Sequence, residues 1–538
     1  MQSPRLPDFL LLVLGLVIVV PVGGVLAAWL QWDARSADIL RQMASTVLAE
    51  YAMTSLLLCT VVAFGVAVVG TACAACVTLF DFRGRRTFEW ALLLPLAVPA
   101  YVVAYAYTDF LQFSGPLQSG VRAAFGLEGR VFPEIRSLPG AAWVFVFALY
   151  PYVYLLARAA LGERASHLME AARLLGAPLG RRIRSVALPL ARPAVAAGVA
   201  LALMETLADF GVTSYFGIQT FSVGIYKAWL AMDDRIAAAQ LATSLLAVVA
   251  LLLALEWRSQ RRLRFSTARG GRAGSSDSQP TPLRGAPARL AQAICAFPIL
   301  MGFVLPVLFM LRPLAADWSV LPWDRFVLWA SNSVRLGLIS ASLAVAIALL
   351  LAYRLRRRPD PITRGVVGLA GLGYAVPGAV IVVGLLLPVG WLQQVAPGVP
   401  SSYWVTGTIV GVVWAYLVRF MSVALQSVQS GYARIPPSLD DSARMLGTSG
   451  LRLLAQVHWP LLRRAAAAAG LLVFVDVMKE LPATMVLRPF NTDTLAVVAY
   501  QLARDERLGE AALPSLALVL VGLLPVVLLS KTLRSRPG

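Results

Sequence analysis

The feature that most constrains this chain is a series of apolar segments, each long enough to cross a lipid bilayer. A membrane-spanning helix needs about 20 apolar residues, and segments of this kind recur along all 538 residues. Only 14% of the residues are charged, against about 25% in an average soluble domain. The sequence therefore predicts an all-α integral membrane protein and excludes a string of soluble domains.

Apolar length predicts about twelve spans, six in each half of the chain. In the first half they cover residues 9–30, 53–80, 88–110, 141–162, 193–213 and 236–257. In the second half they cover residues 292–312, 333–353, 365–390, 404–427, 465–487 and 511–530. We therefore expect a first repeat at 1–257, a basic linker rich in Gly, Ser and Pro at 258–291, and a second repeat at 292–538. An even number of spans in each half makes the repeats parallel.

Positive charge predicts the orientation of these spans. With the N-terminus in the cytoplasm, the loops on that side carry roughly 32 Lys and Arg residues, against roughly 13 on the other side. Both termini are then cytoplasmic, and the net charge of +19 belongs to loops beside the membrane rather than to a nucleic-acid site. The apolar run at 9–30 exceeds the core of about 7–15 residues in a signal peptide, which favours a retained first span.

Two predicted cytoplasmic loops, at 163–192 and 431–464, contain one residue pattern at identical spacing. An acidic residue is followed by two small residues, a glycine six positions on, and a proline thirteen positions after the glycine. The members are Glu170, Ala171, Ala172, Gly176 and Pro189 in the first loop, and Asp441, Ser442, Ala443, Gly447 and Pro460 in the second. Small residues favour a short helix that another protein can approach closely. The glycine permits a turn, and the proline is expected to break the path before the next span. One copy could be an ordinary amphipathic helix, but two copies predict a pair of docking sites.

This pattern resembles the EAA loop of permease subunits of ATP-binding-cassette importers, which docks on a separate ATPase subunit. The resemblance implies a type I, MetI-like permease fold in a bacterial inner membrane, with two ATPase copies bound to one fused chain. Asp441, Ser442 and Trp459 replace the Glu, Ala and Leu of the family pattern. The two ATPase contacts are therefore expected to differ.

The sequence offers no standard site for ATP. The lysines are Lys227, Lys479 and Lys531, and none follows a glycine, so the G-x-x-x-x-G-K-[ST] loop is absent. The patterns G-x-S-x-G and H-E-x-x-H are absent as well. We expect a protein that is not an enzyme and binds no cofactor of its own, with ATP and Mg²⁺ used by the partner ATPase.

Acidic residues follow each docking loop in otherwise apolar surroundings. Glu205 and Asp209 lie four residues apart in the first half, as do Asp476 and Glu480 in the second. A spacing of four puts both acids on one helix face, and ionisable groups at membrane depth face a cavity or a partner. Two interpretations stay open, a translocation path and internal ion pairs such as that of Asp476 with Lys479.

Several segments resemble the ferric-iron permeases of this importer class. They are Glu480-Leu481-Pro482-Ala483-Thr484, Leu207-Ala208-Asp209-Phe210-Gly211, and Val98-Pro99-Ala100-Tyr101-Val102 followed by Tyr105 and Asp109. The resemblance implies import of Fe(III) delivered by a periplasmic binding protein. Fe(III) is a hard cation that prefers carboxylate and phenolate oxygens. The candidate path residues are therefore Tyr101, Tyr105, Asp109, Glu205, Asp209, Asp476 and Glu480. Tyrosines at a membrane interface are more often anchors than ligands.

Other functions remain open at this point. The same fold could import thiamine, a polyamine or another captured solute. A twelve-helix secondary transporter driven by an ion gradient would belong to a different class, and a membrane scaffold would transport nothing. The cysteines are predicted to be packing residues within apolar segments, and no fixed metal site is expected; they are Cys59, Cys73, Cys76 and Cys295.

Overall fold

The computed structural model describes residues 6–30, 34–162, 166–269, 280–316, 318–319 and 321–534, and its regular structure is almost entirely helical. Long apolar segments form helices because a helix satisfies its own backbone hydrogen bonds where water is absent. The start of the first predicted docking loop, at 163–165, and the centre of the predicted linker, at 270–279, lie outside the described residues.

The first half of the chain forms thirteen α-helices in its described part. They are α1 Leu6–Ala27, α2 Ala34–Thr46, α3 Leu48–Leu79, α4 Arg85–Ala91, α5 Ala100–Leu111, α6 Pro116–Phe125, α7 Leu138–Ala160, α8 Ser166–Leu174, α9 Leu179–Arg182, α10 Leu188–Ala208, α11 Gly211–Tyr215, α12 Phe221–Tyr226 and α13 Arg235–Arg269. Because α13 continues to Arg269, residues 258–269 of the predicted linker are helical.

The second half forms thirteen more within the same described ranges. They are α14 Ala286–Ile299, α15 Leu305–Ala316, α16 Trp323–Arg357, α17 Pro361–Leu372, α18 Gly378–Val395, α19 Ser401–Thr406, α20 Val410–Tyr432, α21 Pro437–Met445, α22 Leu451–Leu453, α23 Trp459–Lys479, α24 Pro482–Leu487, α25 Leu495–Arg504 and α26 Leu508–Arg534.

Short non-α segments complete the regular structure. The 3₁₀ segments are Ala28–Leu30, Leu94–Ala97 and Gly373–Ala375. The π-helical segments are Ile183–Ala187, Lys227–Ala231, Leu300–Val304 and Leu454–His458. Strands β1 Phe80–Asp81 and β2 Thr281–Pro282 pair in parallel, with Phe80 opposite Thr281.

Ten helical segments of the described chain are long and apolar enough to cross a membrane. The pair Arg85–Ala97 and Ala100–Phe125, bent by 87°, gives an eleventh if it forms one span. The remaining predicted span, at 465–487, corresponds largely to α23. This helix carries Arg463, Arg464, Asp476 and Lys479, and these charges set it apart from the ten apolar segments.

One compact unit comprises Met1–Gln42, Ile225–Leu246 and Pro322–Val498 and is called the α20 unit here. In it α16, α20 and α23 pack against one another, and α1 packs on α17 and α18. A Cβ on Gly384 of α18 would lie 1.8 Å from the carbonyl oxygen of Pro21. Glycine thus lets α1 and α18 meet backbone to backbone.

The other compact unit comprises Met43–Gly224, Ala247–Leu321 and Ala499–Gly538 and is called the α7 unit. In it α3, α7 and α10 pack together, and α15 packs on α5 and α26. The stacked rings of Phe110 and Phe309, with centroids 3.9 Å apart, join α5 to α15. Each compact unit therefore combines helices from both halves of the sequence.

Candidate functional site

The first loop helix, α8, ends in a turn that hydrogen bonds close. The amide of Ala177 donates to the carbonyl of Ala172 over 3.0 Å, and the amide of Gly176 donates to the carbonyl of Arg173 over 2.9 Å. Gly176 has a φ of +77°, a left-handed conformation that glycine adopts without the steric cost of a Cβ. This paired bonding is the usual glycine-capped end of a helix.

The second loop helix, α21, ends in the same turn 271 residues later, as read from Gly176 and Gly447. The amide of Thr448 donates to the carbonyl of Ala443 over 2.9 Å, and the amide of Gly447 donates to the carbonyl of Arg444 over 2.9 Å. Gly447 has a φ of +83°. The shared sequence spacing therefore produces the same local geometry in both loops.

Both glycine turns expose a pair of large apolar side chains. Leu174 and Leu175 are 84% and 87% exposed, and Met445 and Leu446 are 90% and 85% exposed. The two pairs occupy the same positions relative to their glycines. Exposed apolar patches that adjoin polar residues mark sites of interaction with other proteins or with a membrane.

The remaining residues of the pattern divide into an inner and an outer set. Ala172 is half-buried and Ala443 is buried, so this position faces the body of the protein in both loops. Asp441 is exposed and pairs with Arg444 over 3.1 Å, whereas the side chain of Glu170 lies outside the described part. The exposed positions are Ala171, Gly176, Asp441, Ser442, Gly447 and Pro460, and Pro189 is half-buried.

The two prolines do not break the path of the chain. Pro189 and Pro460 are each the second residue of a long helix that continues from a π-helical segment, Ile183–Ala187 or Leu454–His458. Proline lacks the N–H of a regular helical hydrogen bond, and the wider π turn just before it accommodates this loss. The predicted break is therefore wrong. The helix after each glycine turn runs unbroken toward the next predicted span.

The base of α21 contains a buried acid, Asp440, which the sequence pattern does not single out. The Nε and Nη2 atoms of Arg356 donate to its two carboxylate oxygens over 2.8 and 3.1 Å, and Nε2 of His458 lies 3.0 Å from Oδ1. Burial acts to raise the pKa of Asp440, but the hydrogen bonds from Arg356 and His458 outweigh it and hold the pKa below its usual value. Sequence reasoning counts Arg356 only among the positive charges of a loop.

The acids that follow α10 and α23 both accept backbone hydrogen bonds. Glu480 is buried, accepts the amide of Ala483 over 2.9 Å and lies 3.3 Å from Nη1 of Arg419. Asp209 is half-buried and accepts the amide of Val212 over 2.8 Å. Both predicted residues therefore fix local structure.

The other two predicted acids lie one turn earlier in the same helices. Glu205 and Asp476 are both half-buried, and Asp476 interacts electrostatically with Lys479. An ion pair of Asp476 with Lys479 remains a prediction. A path role for the two acids remains a prediction.

The predicted residues of α5 lie in an aromatic cluster of the α7 unit. The buried ring of Tyr105 contacts Tyr101 and Tyr215, with centroids 5.7 and 4.7 Å away. Tyr105 and Asp109 also line a cavity of about 10 Å³ together with Ser515, which is room for about one water molecule. The structure therefore packs Tyr101 against Tyr105 and places Tyr105 and Asp109 at a small, mostly apolar cavity.

Three of the four cysteines meet in the α7 unit. Cys73 and Cys295 are fully buried, Cys73 lies 3.6 Å from the carbonyl oxygen of Ile294, and the thiol of Cys295 is near enough to those of Cys73 and Cys76 to interact with them. The sequence gives no sign of this meeting because Cys295 comes from α14, far along the chain. In the described ranges no group of three His, Cys, Asp or Glu residues is arranged to hold a metal ion.

A helical protein with many apolar spans and two repeated loop helices that expose apolar ends has the features of a permease that works with other subunits. Residues 66–264 match the family described as binding-protein-dependent transport system inner membrane component. Over these residues the chain is similar to permeases of this class, the inner membrane components of ATP-binding-cassette importers. Members of the class work with an ATPase and a solute-binding protein.

The similarity to individual permeases extends over most of the chain. The chain is 24% identical to the Fe(3+)-transport system permease protein FbpB 2 of Haemophilus influenzae, over 98% of this chain and 99% of that protein. It is 23% identical to the ferric transport system permease protein FbpB of Actinobacillus pleuropneumoniae, over 77% of this chain and 61% of that protein. It is 28% identical to the sulfate transport system permease protein CysW of Escherichia coli, over 36% of this chain and 68% of that protein.

Proposed function

We propose that this chain is the permease subunit of an ATP-driven importer that moves Fe(III) from a periplasmic binding protein to the cytoplasm. The observation that carries the proposal is the pair of loop helices, α8 and α21, which end in the same glycine turn and expose apolar side chains at the same positions. Two such surfaces on one chain suit two copies of one ATPase subunit.

Each loop helix is short and exposes apolar side chains at its end, which suits insertion into an apolar groove of a partner. Leu175 and Leu446 would enter the groove, and the glycine turns would set the angle at which they enter. The proposed docking residues are Glu170, Ala171, Ala172, Gly176 and Pro189 in the first loop, and Asp441, Ser442, Ala443, Gly447 and Pro460 in the second.

ATP and Mg²⁺ bind to the partner in this proposal and not to the permease. The sequence lacks a G-x-x-x-x-G-K-[ST] loop, whose backbone amides and lysine hold nucleotide phosphates. The permease then has no enzymatic activity and no cofactor, and its contribution is mechanical.

The continuous helices after the loop turns provide a route for the movement. The helical segment Leu179–Ala208 starts beside the first turn and ends at Asp209, and α23 ends correspondingly at Glu480. ATP-driven closure of the ATPase subunits would displace α8 and α21. The stiff helices would then carry this displacement to the acids at their far ends and change the access of the solute.

Iron is the solute that the similarities and the side-chain chemistry favour together. A relative named for Fe(3+) transport matches nearly the whole chain, and Fe(III) prefers carboxylate and phenolate oxygens. The residues proposed for its path are Tyr101, Tyr105, Asp109, Glu205, Asp209, Asp476 and Glu480. The second candidate is another captured solute, because relatives named for sulfate and 2-aminoethylphosphonate transport match part of the chain.

The orientation in this proposal puts the N-terminus, the C-terminus and both loop helices in the cytoplasm. The asymmetric distribution of arginine supports it. The division into parallel repeats at 1–257 and 292–538 is part of the same proposal, and the identical offset of the two glycine turns supports it.

The test compares docking variants with matched exposed apolar positions elsewhere. In the double variant Leu175→Asp, Leu446→Asp the ATPase should no longer co-purify with the permease. The rate of ATP-dependent uptake of labelled iron should fall more than tenfold. Leu127→Asp and Val395→Asp change exposed residues away from the loop turns and should retain both. Retention of the ATPase by the double variant would refute the docking proposal. Uptake of labelled sulfate or thiamine in place of iron would refute only the choice of substrate.

A further inference from the structure

The second loop helix is held at its base by a buried ionic cluster, defined here as Arg356, Asp440 and His458. The side chain of Asp440 is only 7% exposed, and its carboxylate accepts two hydrogen bonds from the guanidinium group of Arg356. A two-point contact of this kind fixes the relative orientation of the two side chains as well as their distance.

Arg356 also binds the backbone that leads into α21. Its Nη1 atom donates to the carbonyls of Ile435 and Tyr432 over 3.0 and 3.3 Å, and Nη2 donates to that of Pro436 over 3.1 Å. Carbonyls at the end of a helix lack partners within that helix. One side chain from α16 therefore holds the end of α20, the connecting turn and α21 together.

His458 connects the same cluster to the helix that follows. It is fully buried at the end of the π-helical segment Leu454–His458, directly before α23. The hydroxyl of Tyr432 lies 3.3 Å from Nδ1, and Nε2 lies 3.0 Å from Asp440. Both contacts are hydrogen bonds when Tyr432 donates to Nδ1 and Nε2–H donates to the carboxylate.

The first loop helix has different residues at the positions that correspond to Asp440 and His458. The positions 271 residues before Asp440 and His458 are Met169 and Ala187, and both are buried. Neither residue can ionise, and methionine is flexible and adapts to shifts of its neighbours. The two loop helices therefore share their exposed ends but differ at these two buried positions.

We propose that Arg356, Asp440 and His458 are positioning residues that make α21 the rigid one of the two loop helices. A displacement of α21 then moves α23 directly. In the first loop, α8 can shift before α10 moves, because the apolar residues Met169 and Ala187 occupy the corresponding positions. This inference rests on the proposed docking of ATPase subunits at both loops. It assigns the greater share of the coupling between ATP hydrolysis and transport to the second loop.

Hydrogen exchange of the permease alone tests the rigidity without any ATPase. Backbone amides of α21 should exchange more slowly than those of α8. Arg356→Gln should speed exchange in α21 about tenfold and leave α8 unchanged. Arg358→Gln makes the same change of charge at an exposed position two residues away and should have no effect. Equal exchange rates in α8 and α21 of the unmodified protein would overturn the proposal.

A second variant guards against misfolding of the first. The triple variant Arg356→Met, Asp440→Met, His458→Ala replaces the cluster with apolar residues, an exchange that buried ionic groups often tolerate. It should also speed exchange in α21. In reconstituted vesicles it should keep the ATPase bound but raise the ATP hydrolysed per imported ion several-fold. An unchanged ratio would overturn the coupling role. Loss of the ATPase from the Leu175→Asp, Leu446→Asp variant depends only on the docking proposal, so the two failures are distinguishable.

Discussion

Asp209 and Glu480 lie 271 residues apart and have the same structural role. Each directly follows a long helix, and each carboxylate accepts the backbone amide three residues later, that of Val212 over 2.8 Å or that of Ala483 over 2.9 Å. Each acid therefore follows the last residue of one helix and accepts an amide hydrogen bond from the first turn of the next helix, α11 or α24. The repeat seen in the loop helices thus extends through the following helix to this acid.

Neutralising these acids should separate transport from stability. Asparagine is as good a helix cap as aspartate, so Asp209→Asn should leave the melting temperature nearly unchanged while iron uptake falls about tenfold. Glu480→Gln removes the charge beside Arg419 and should also destabilise the protein by about 1–3 kcal/mol. Vesicle uptake and thermal unfolding measure the two effects. Full uptake in a combined variant that retains its ATPase would remove both acids from the path.

The left-handed glycine of each loop should not tolerate a side chain. A Cβ added at Gly176 would meet no other atom within 4 Å, so Gly176→Ala tests the backbone conformation alone, at a cost of about 1–2 kcal/mol. The turn should distort, and ATP-dependent uptake should fall about tenfold. Gly180 has equal space but lies within α9, where alanine is favourable. If Gly180→Ala and Gly176→Ala had equal effects on uptake, the conformational argument would be wrong.

Acid should loosen the base of α21 through Asp440. Its pKa is lowered in the folded protein by Arg356 and His458, against the effect of burial, so the ionised form is the one that stabilises the cluster. This contribution is complete above about pH 4, the unfolded pKa of aspartate, and is lost as the pH falls through the folded pKa. Hydrogen exchange corrected for its intrinsic pH dependence should show α21 losing protection there. Undiminished protection of α21 well below pH 4 would contradict this assignment.

Oxidative cross-linking should join the two halves of the sequence within the α7 unit. A membrane-permeant oxidant should take two electrons and two protons from Cys295 and either Cys73 or Cys76 and form a disulfide between them. A protease site inserted at 270–279 and cleaved after oxidation in detergent should then leave the two fragments joined on a non-reducing gel. Cys295→Ser should release them, and Cys59→Ser should not. Separate fragments with all four cysteines present would contradict the packing of α14 on α3.

Local sequence patterns predicted the features that depend on local spacing. The length of each apolar run predicted most of the spans, and the position of Gly176 relative to Glu170 predicted a turn at the end of a short helix. A break at Pro189 was expected because proline lacks an N–H, but the π-helical turn before it depends on the packing of the whole segment. Local rules therefore located the loop helices but not the way in which they connect to the spans.

Contacts between distant residues had no comparable signal. Arg356 and Asp440 are 84 residues apart, and nothing in the spacing of either residue indicates the other. The packing of α1 on α18, through Gly384 and Pro21, likewise joins segments that belong to different repeats. Apolar helices carry no sequence mark of their neighbours, which explains why the compact units differ from the sequence halves.

The central claim is that this permease moves its solute only when a separate ATPase acts on both loop helices. The most direct measurement is uptake of labelled Fe(III) by vesicles that contain the permease, its ATPase and its binding protein. The account predicts uptake that requires ATP and disappears in the Leu175→Asp, Leu446→Asp variant. Accumulation of iron by vesicles that contain the permease alone, driven by a proton or sodium gradient without nucleotide, would contradict it.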